Sequence, residues 1–363
     1  MKKLIILLFP ILICGCSHDM NRREIDEINL VHVIGIDFSD GEYVITALYS
    51  GEKGADTEKG SAGQEVTSKG SGATPYAAFQ NFRLKDKKTV SIANTGFFLL
   101  GEGAAKRGLD ICIDFLSRDE TVKMESLLFV TKDMDASEFI AQSLEKGQII
   151  HEDMKAVEQK QEELVTRNDN TLVNVLNELE NDITIGIIPY LVAEEGSFLL
   201  QGYAVFENNI LADYLDMETS SGVNFIKDII RAYPIYLDDN VGLSISYSKS
   251  HIKSEIQDNS IRIVIKLDFE TMIKEINIRE DIFTFEELNR LTDMQNDYII
   301  EIMKKATDYS KNTGRDILQI ARLIQNQHTR KWSEYEDNWK DKISEIEYEF
   351  NVNSQITKSF ILN

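Results

Sequence analysis

Three cysteines and five histidines are the residues of this 363-residue chain best suited to covalent or metal chemistry, and their spacing narrows what they can do. Cys14 and Cys16 flank Gly15 at the end of a short apolar run, residues 4–13, preceded by Lys2 and Lys3. A basic start, a short hydrophobic core and small residues before a cut are the three parts of a secretory signal. The run is about ten residues long, whereas a bilayer-spanning helix needs roughly 20. Residues 1–15 are therefore read as an export signal.

Ile13-Cys14-Gly15-Cys16 resembles a bacterial lipobox, in which the final cysteine is acylated and becomes the new amino terminus. An ordinary cleaved signal and an uncleaved anchor are the alternatives. One acyl chain binds a membrane marginally, but two, at ~0.8 kcal/mol per buried methylene, hold a protein there stably. With Cys14 removed and Cys16 lipidated, only Cys112 remains as a thiol, so no intramolecular disulfide is expected.

The histidines offer no comparable site. His18, His32, His151, His251 and His328 are dispersed, with no pair at the i, i+4 or short-loop spacing of a metal centre. The chain has no GxSxG elbow, no GxxxxGK[ST] loop, no GxGxxG turn after a strand and no CxxC pair. Gly101-Glu102-Gly103 lacks the third glycine and a phosphate-binding lysine, and is read as a strand-to-helix turn. Carboxylates are too abundant for sequence to single out a catalytic pair. No catalytic, cofactor-binding or metal-ligating residue is assigned, and a protein without enzymatic activity is expected.

Charge narrows the partners. The formal net charge is −22, and loss of residues 1–15 removes two lysines and no acid, leaving about −24. Phosphates should repel such a chain, and no basic stripe is present for nucleic acid. Anionic headgroups repel it too, so the acyl group would have to hold it at the membrane.

The elements that must carry any function alternate along the chain. The second half of residues 21–37 and residues 43–49 read as strands joined at Asp40-Gly41, a favoured two-residue hairpin turn. Between Gly51 and Gly72 lie six glycines, an exposed excursion whose residues 64–69 can enter a sheet edge. Helices are expected over 74–84, 103–116 and 136–146, with strands over 95–100 and 125–131. Residues 151–181 are acidic and helical in pattern, with Leu172, Val175, Leu176 and Leu179 on one face. Strands follow over 185–192 and 198–206. Ile261, Ile263, Ile265, Leu267 and Phe269 repeat every second residue, the mark of a strand with one buried face, and residues 244–256 should pair with it. Thr284 and Glu287 form a capping box ahead of a long helix, about 284–312, that ends at Gly314. A helix over 316–327, core tryptophans Trp332 and Trp339 on one helical face, and a closing strand over 346–356 complete the chain. The expected fold is mixed α/β or α+β: an N-terminal domain over 16–192, divisible near 150, and a C-terminal domain over 193–363, divisible near 250.

Several blocks resemble the Ger(x)C family, the C-subunit lipoproteins of spore nutrient-germinant receptors. They are residues 21–37 (NRREIDEINLVHVIGID), Gly101-Glu102 with residues 104–108 and 115–120, Gly202-Tyr203-Ala204-Val205-Phe206, residues 211–215 with Gly222, and residues 316–318 with Trp332 and Trp339. The family usually has tryptophan directly after the acylated cysteine, where this chain has Ser17-His18-Asp19-Met20, and a histidine common before the middle strand is replaced around Asn94-Thr95. The resemblance implies several mixed-sheet domains, a lipid on Cys16, and no cofactor. It further implies a non-enzymatic subunit on the outer face of the inner spore membrane, partnered by two integral-membrane subunits. A lipid-anchored solute-binding protein of a transporter is the alternative, and it would need two similar sheet lobes around a polar cleft.

Overall fold

The computed structural model describes residues 27–51, 65–164, 170–179, 185–194, 197–238, 240–257, 260–277 and 284–357. The expected signal, Cys16 and most of the glycine-rich excursion lie outside them. The described chain forms two sheets.

The first sheet begins with the hairpin of β1 (Ile28–Ser39) and β2 (Glu42–Ser50). Asp40 and Gly41 both have positive φ, 52° and 82°, the turn geometry that matches strand twist. β3 (Glu65–Gly72) pairs outside β2. On the other side of β1 lie β4 (Thr89–Ser91) and β5 (Phe97–Gly101), then β6 (Leu127–Thr131) and β7 (Gly186–Glu194), in parallel register. β8 (Ser197–Glu207) and β9 (Ile210–Leu215) complete it antiparallel. The order is β3-β2-β1-β5-β6-β7-β8-β9, with β4 on β1.

Residues of β5 and β6 are buried throughout, as parallel strands covered on both faces must be. One face packs on α1 (Pro75–Lys85), α2 (Glu102–Arg107), α3 (Leu109–Ser117) and α6 (Leu172–Leu179). The opposite face packs on α4 (Ala136–Glu145) and α5 (Ile150–Leu164). Phe98 and Leu100 point into the first layer, Phe97 and Leu99 into the second. Where one helix was expected over 103–116, Gly108, with φ 150°, separates α2 from α3.

The second sheet has the order β10-β11-β12-β13: β10 (Pro234–Leu237), β11 (Val241–Gln257), β12 (Ser260–Ile276) and β13 (Glu347–Thr357). The predicted inward residues of β12, Ile261 to Phe269, are all buried. Over that face run α7 (Met217–Ile226), α8 (Phe285–Thr313), α9 (Ile320–Gln327), α10 (Thr329–Trp332) and α11 (Trp339–Glu345). The 29 residues of α8 span ~43 Å. The Glu287 amide donates to Thr284 Oγ1 at 3.2 Å, and Gly314, at φ 67°, closes the helix, as the capping pattern predicted.

Two further expectations need correction. The helix expected from 316 begins at Ile320, because Asp316 is spent as an acceptor for its first amides. Trp332 and Trp339 sit in different helices, separated by a 3-10 turn, yet their rings meet edge to face at 5.2 Å in the core. The first sheet continues from β7 through β8 and β9 to Leu215. Ala204, Phe206 and Leu211 enter its core, while Tyr203, Val205 and Leu215 enter the core of the second sheet.

Helix packing of the second half depends on one absent side chain. A Cβ at Gly222 would overlap the Ile302 carbonyl oxygen, where α7 crosses α8. Gly222→Ala is expected to push the helices apart and cost about 1–3 kcal/mol, read as a lower urea midpoint at unchanged slope.

Candidate functional site

Among the described residues the cysteines and histidines form no metal-binding cluster. Cys16 lies outside the described residues. Cys112 is buried in α3, where burial pushes its thiol up to about 12, so it carries no thiolate near neutrality. No group of three or more His, Cys, Asp or Glu among the described residues is arranged to hold a metal.

The structure does bring two histidines together that the sequence separates. His32 on β1 stacks on His151 at the start of α5, with ring centroids 4.6 Å apart. Glu65 on β3 accepts from the Ile150 amide at 2.7 Å and the His151 amide at 3.2 Å, so a strand carboxylate caps the helix. Burial first, and then His32 and Lys155, depress His151 to about 4. His32 is lowered too, by burial and Lys155. Neutral rings are thus part of how α5 docks. No motif signals such a pair, because the contact is made by topology.

A second convergence lies where the two halves meet. Arg315, just beyond α8, donates to Glu207 at 3.0 Å, to Asp213 at 3.2 Å and to the Tyr309 hydroxyl at 3.2 Å. Tyr309 donates to Asp213 at 3.0 Å, and Lys340 to Glu207 at 2.7 Å. Lys340 and Arg315 together hold the Glu207 carboxyl below its usual range. Beside this network Asp316 is buried, accepting from the Ile320 amide at 2.8 Å, the Ala321 amide at 2.7 Å and Trp339 Nε1 at 3.1 Å. Burial raises its pKa, and the three donors oppose that rise.

Next to the network a polar cleft of about 340 Å³ opens between α6, β7 and the turn before α9. Asn170, Asn174, Lys227, Gln319 and Arg322 line it. Its amides, the Lys227 and Arg322 cations and the Glu178 carboxylate can bind a small polar solute. The residues of the resemblance blocks serve packing here. A Cβ at Gly101 would overlap Asp37 Oδ1, which accepts from the Ala136 amide to cap α4. Gly202 has φ 145° and abuts the Leu215 carbonyl.

The family model for the spore germination protein N-terminal domain matches residues 21–193, and that for the spore germination B3/GerAC-like C-terminal region matches 201–359. The chain belongs to this GerAC-like spore germination family. The two matches meet at the β7–β8 hairpin, within the first sheet. The crystal structure of the GerBC protein is similar to this GerAC-like chain with a TM-score of 0.58. It is 14% identical, over 89% of this chain and 96% of that one, a likeness that shows the fold. No curated protein matches.

The histidine stack sets a pH dependence with a defined sign. A histidine depressed in the folded state stabilises fully above its unfolded value of 6.5, and the contribution is lost as pH falls toward about 4. Screening of the half-exposed rings limits this to roughly 1–2 kcal/mol. The native chain should therefore lose stability relative to His151→Phe between pH 6.5 and 4, measured by urea unfolding across that range.

Proposed function

We propose that this GerAC-like chain is the lipid-anchored C subunit of a nutrient-germinant receptor, a non-enzymatic protein that acts by assembling with two integral-membrane subunits. The observation that carries this reading is the match of the two family models over 21–193 and 201–359. The short basic and apolar segment ending at Cys16 supplies the anchor, on the outer face of the inner spore membrane. Among the described residues no helix is long and apolar enough to cross a membrane. The folded halves supply binding surface to the partners.

The polar cleft gives the solute-binding alternative a location. Against it, the two halves are unlike among the described residues, with nine strands in one sheet and four in the other, and they share β8 and β9. Clamshell closure needs lobes that move apart as bodies.

Cys16→Ala is expected to shift the protein from the membrane fraction to the soluble fraction of spore extracts and to slow nutrient-triggered germination. Retention at the membrane with a normal rate would remove the anchor. Affinity purification of tagged protein from dormant-spore inner membranes is expected to return two multi-span companions in stoichiometric amount. A transporter permease and ATPase in their place, together with thermal stabilisation by a nutrient, would favour the solute-binding reading.

A further inference from the structure

The four edges of the two sheets are not finished alike. At β3, α1 covers the edge: Asn81 Nδ2 donates to the Ser71 carbonyl at 2.8 Å and Lys85 Nζ to the Lys69 carbonyl at 3.4 Å. At β9, α2 lies alongside, and the Leu109 amide bonds the Asn209 carbonyl at 2.7 Å. β10 is only four residues long and opens on Pro234. Covering helices, short strands, proline and lysine are the usual means of blocking edge-to-edge pairing.

β13 is neither short nor broken by proline or lysine. It runs eleven residues, parallel to β12 without a register break, and its other side meets no strand among the described residues. It holds no proline, lysine or arginine, and from Phe350 to Thr357 it carries no charge. Its inward residues Phe350, Val352 and Ile356 are only half-buried, whereas Ile263, Ile265 and Leu267 on β12 are fully buried. α8 packs on the inner face of β13, where Gln295 Nε2 donates to Ser354 Oγ at 2.6 Å, and beside Phe350 and Val352 a groove of about 750 Å³ opens. Ile300, Phe350 and Val352 give it an apolar floor, and Asp293, Asp297 and Lys266 stand on its rim. Lys266 is paired with Asp268 at 3.2 Å, while Asp293 and Asp297 are exposed and in no salt bridge among the described residues.

We propose that β13 is a docking edge for an extended segment of a partner protein that carries lysine or arginine, added to the second sheet as a fifth strand with its cations over Asp293 and Asp297. Main-chain hydrogen bonds along the edge supply affinity, and alternate side chains entering the groove supply selectivity. Charge selects the occupant. A second copy would set the same acidic rim against itself in a chain of net charge −22, whereas a cationic segment is complementary. Strand addition deepens the receptor-subunit reading, and the source of the segment rests on that reading.

Hydrogen exchange on the full-length protein tests the edge with two short synthetic peptides, one alternating valine with lysine and the other valine with glutamate. The lysine peptide is expected to slow exchange across residues 350–357, and the glutamate peptide is not. Asp293→Lys with Asp297→Lys, both on the exposed face of α8, should weaken the lysine peptide by roughly tenfold or more and favour the glutamate one. No protection over 350–357, or equal protection by both peptides, would overturn the proposal. So would a dimer of the protein alone that Asn353→Pro dissolves in sedimentation, since the edge would then belong to a second copy. Protein that co-purifies with two multi-span companions yet shows no peptide protection fails the edge and leaves the receptor reading standing. Protection without such companions does the reverse.

Discussion

The buried carboxylate of Asp316 is the constraint on which the arrangement of the C-terminal half depends. Taking a carboxylate out of water is costly unless its oxygens find donors, and here two helix amides and an indole N–H supply three. Satisfying that charge fixes three things together: where α9 starts, how the chain reverses through Gln319 at φ 59°, and where Trp339 packs against Trp332. Arg315, one residue earlier, is thereby aimed at Glu207 and Asp213 of the first sheet. A turn of a few residues after the long helix thus sets the relation between the two halves.

That relation is not one of two bodies on a linker. β8 and β9 send alternate side chains into two cores, so a movement of one half would have to tear contacts in the other. The ionic network closes the same seam from the surface side. A stiff body of this kind suits a subunit that presents fixed surfaces to partners better than one that closes over a solute.

Elements whose signal is local were legible in the sequence. The alternation from Ile261 to Phe269, the Asp40-Gly41 turn and the Thr284 to Gly314 limits of α8 each rest on neighbours a few residues apart. α7 was not anticipated, because it has no apolar stripe to read. Ser220, Ser221, Gly222 and Asn224 are buried there on account of the close crossing with α8, and small polar residues do not register as hydrophobic periodicity. The break at Gly108 and the role of Asp316 escaped for a related reason, since each is decided by partners distant in sequence. The histidine pair belongs to the same class. The blocks that resemble the receptor family, by contrast, were readable as a set, and in the structure Gly101, Gly202, Gly222, Asp316 and Trp339 prove to be positions where packing admits few other residues.

The parallel pairing of β12 with β13 has a bearing on how the chain folds. Arg262 and Glu347, ion-paired at 3.2 Å across these strands, are 85 residues apart in sequence, and the long helix lies in the interval. Closing so long a loop has to precede any gain from the contacts it makes, which slows folding and leaves intermediates exposed. During synthesis from the amino terminus, the hairpin of β11 and β12 is complete long before its neighbour exists. Its open edge must wait for β13, so the second sheet is complete only when residues 347–357 arrive.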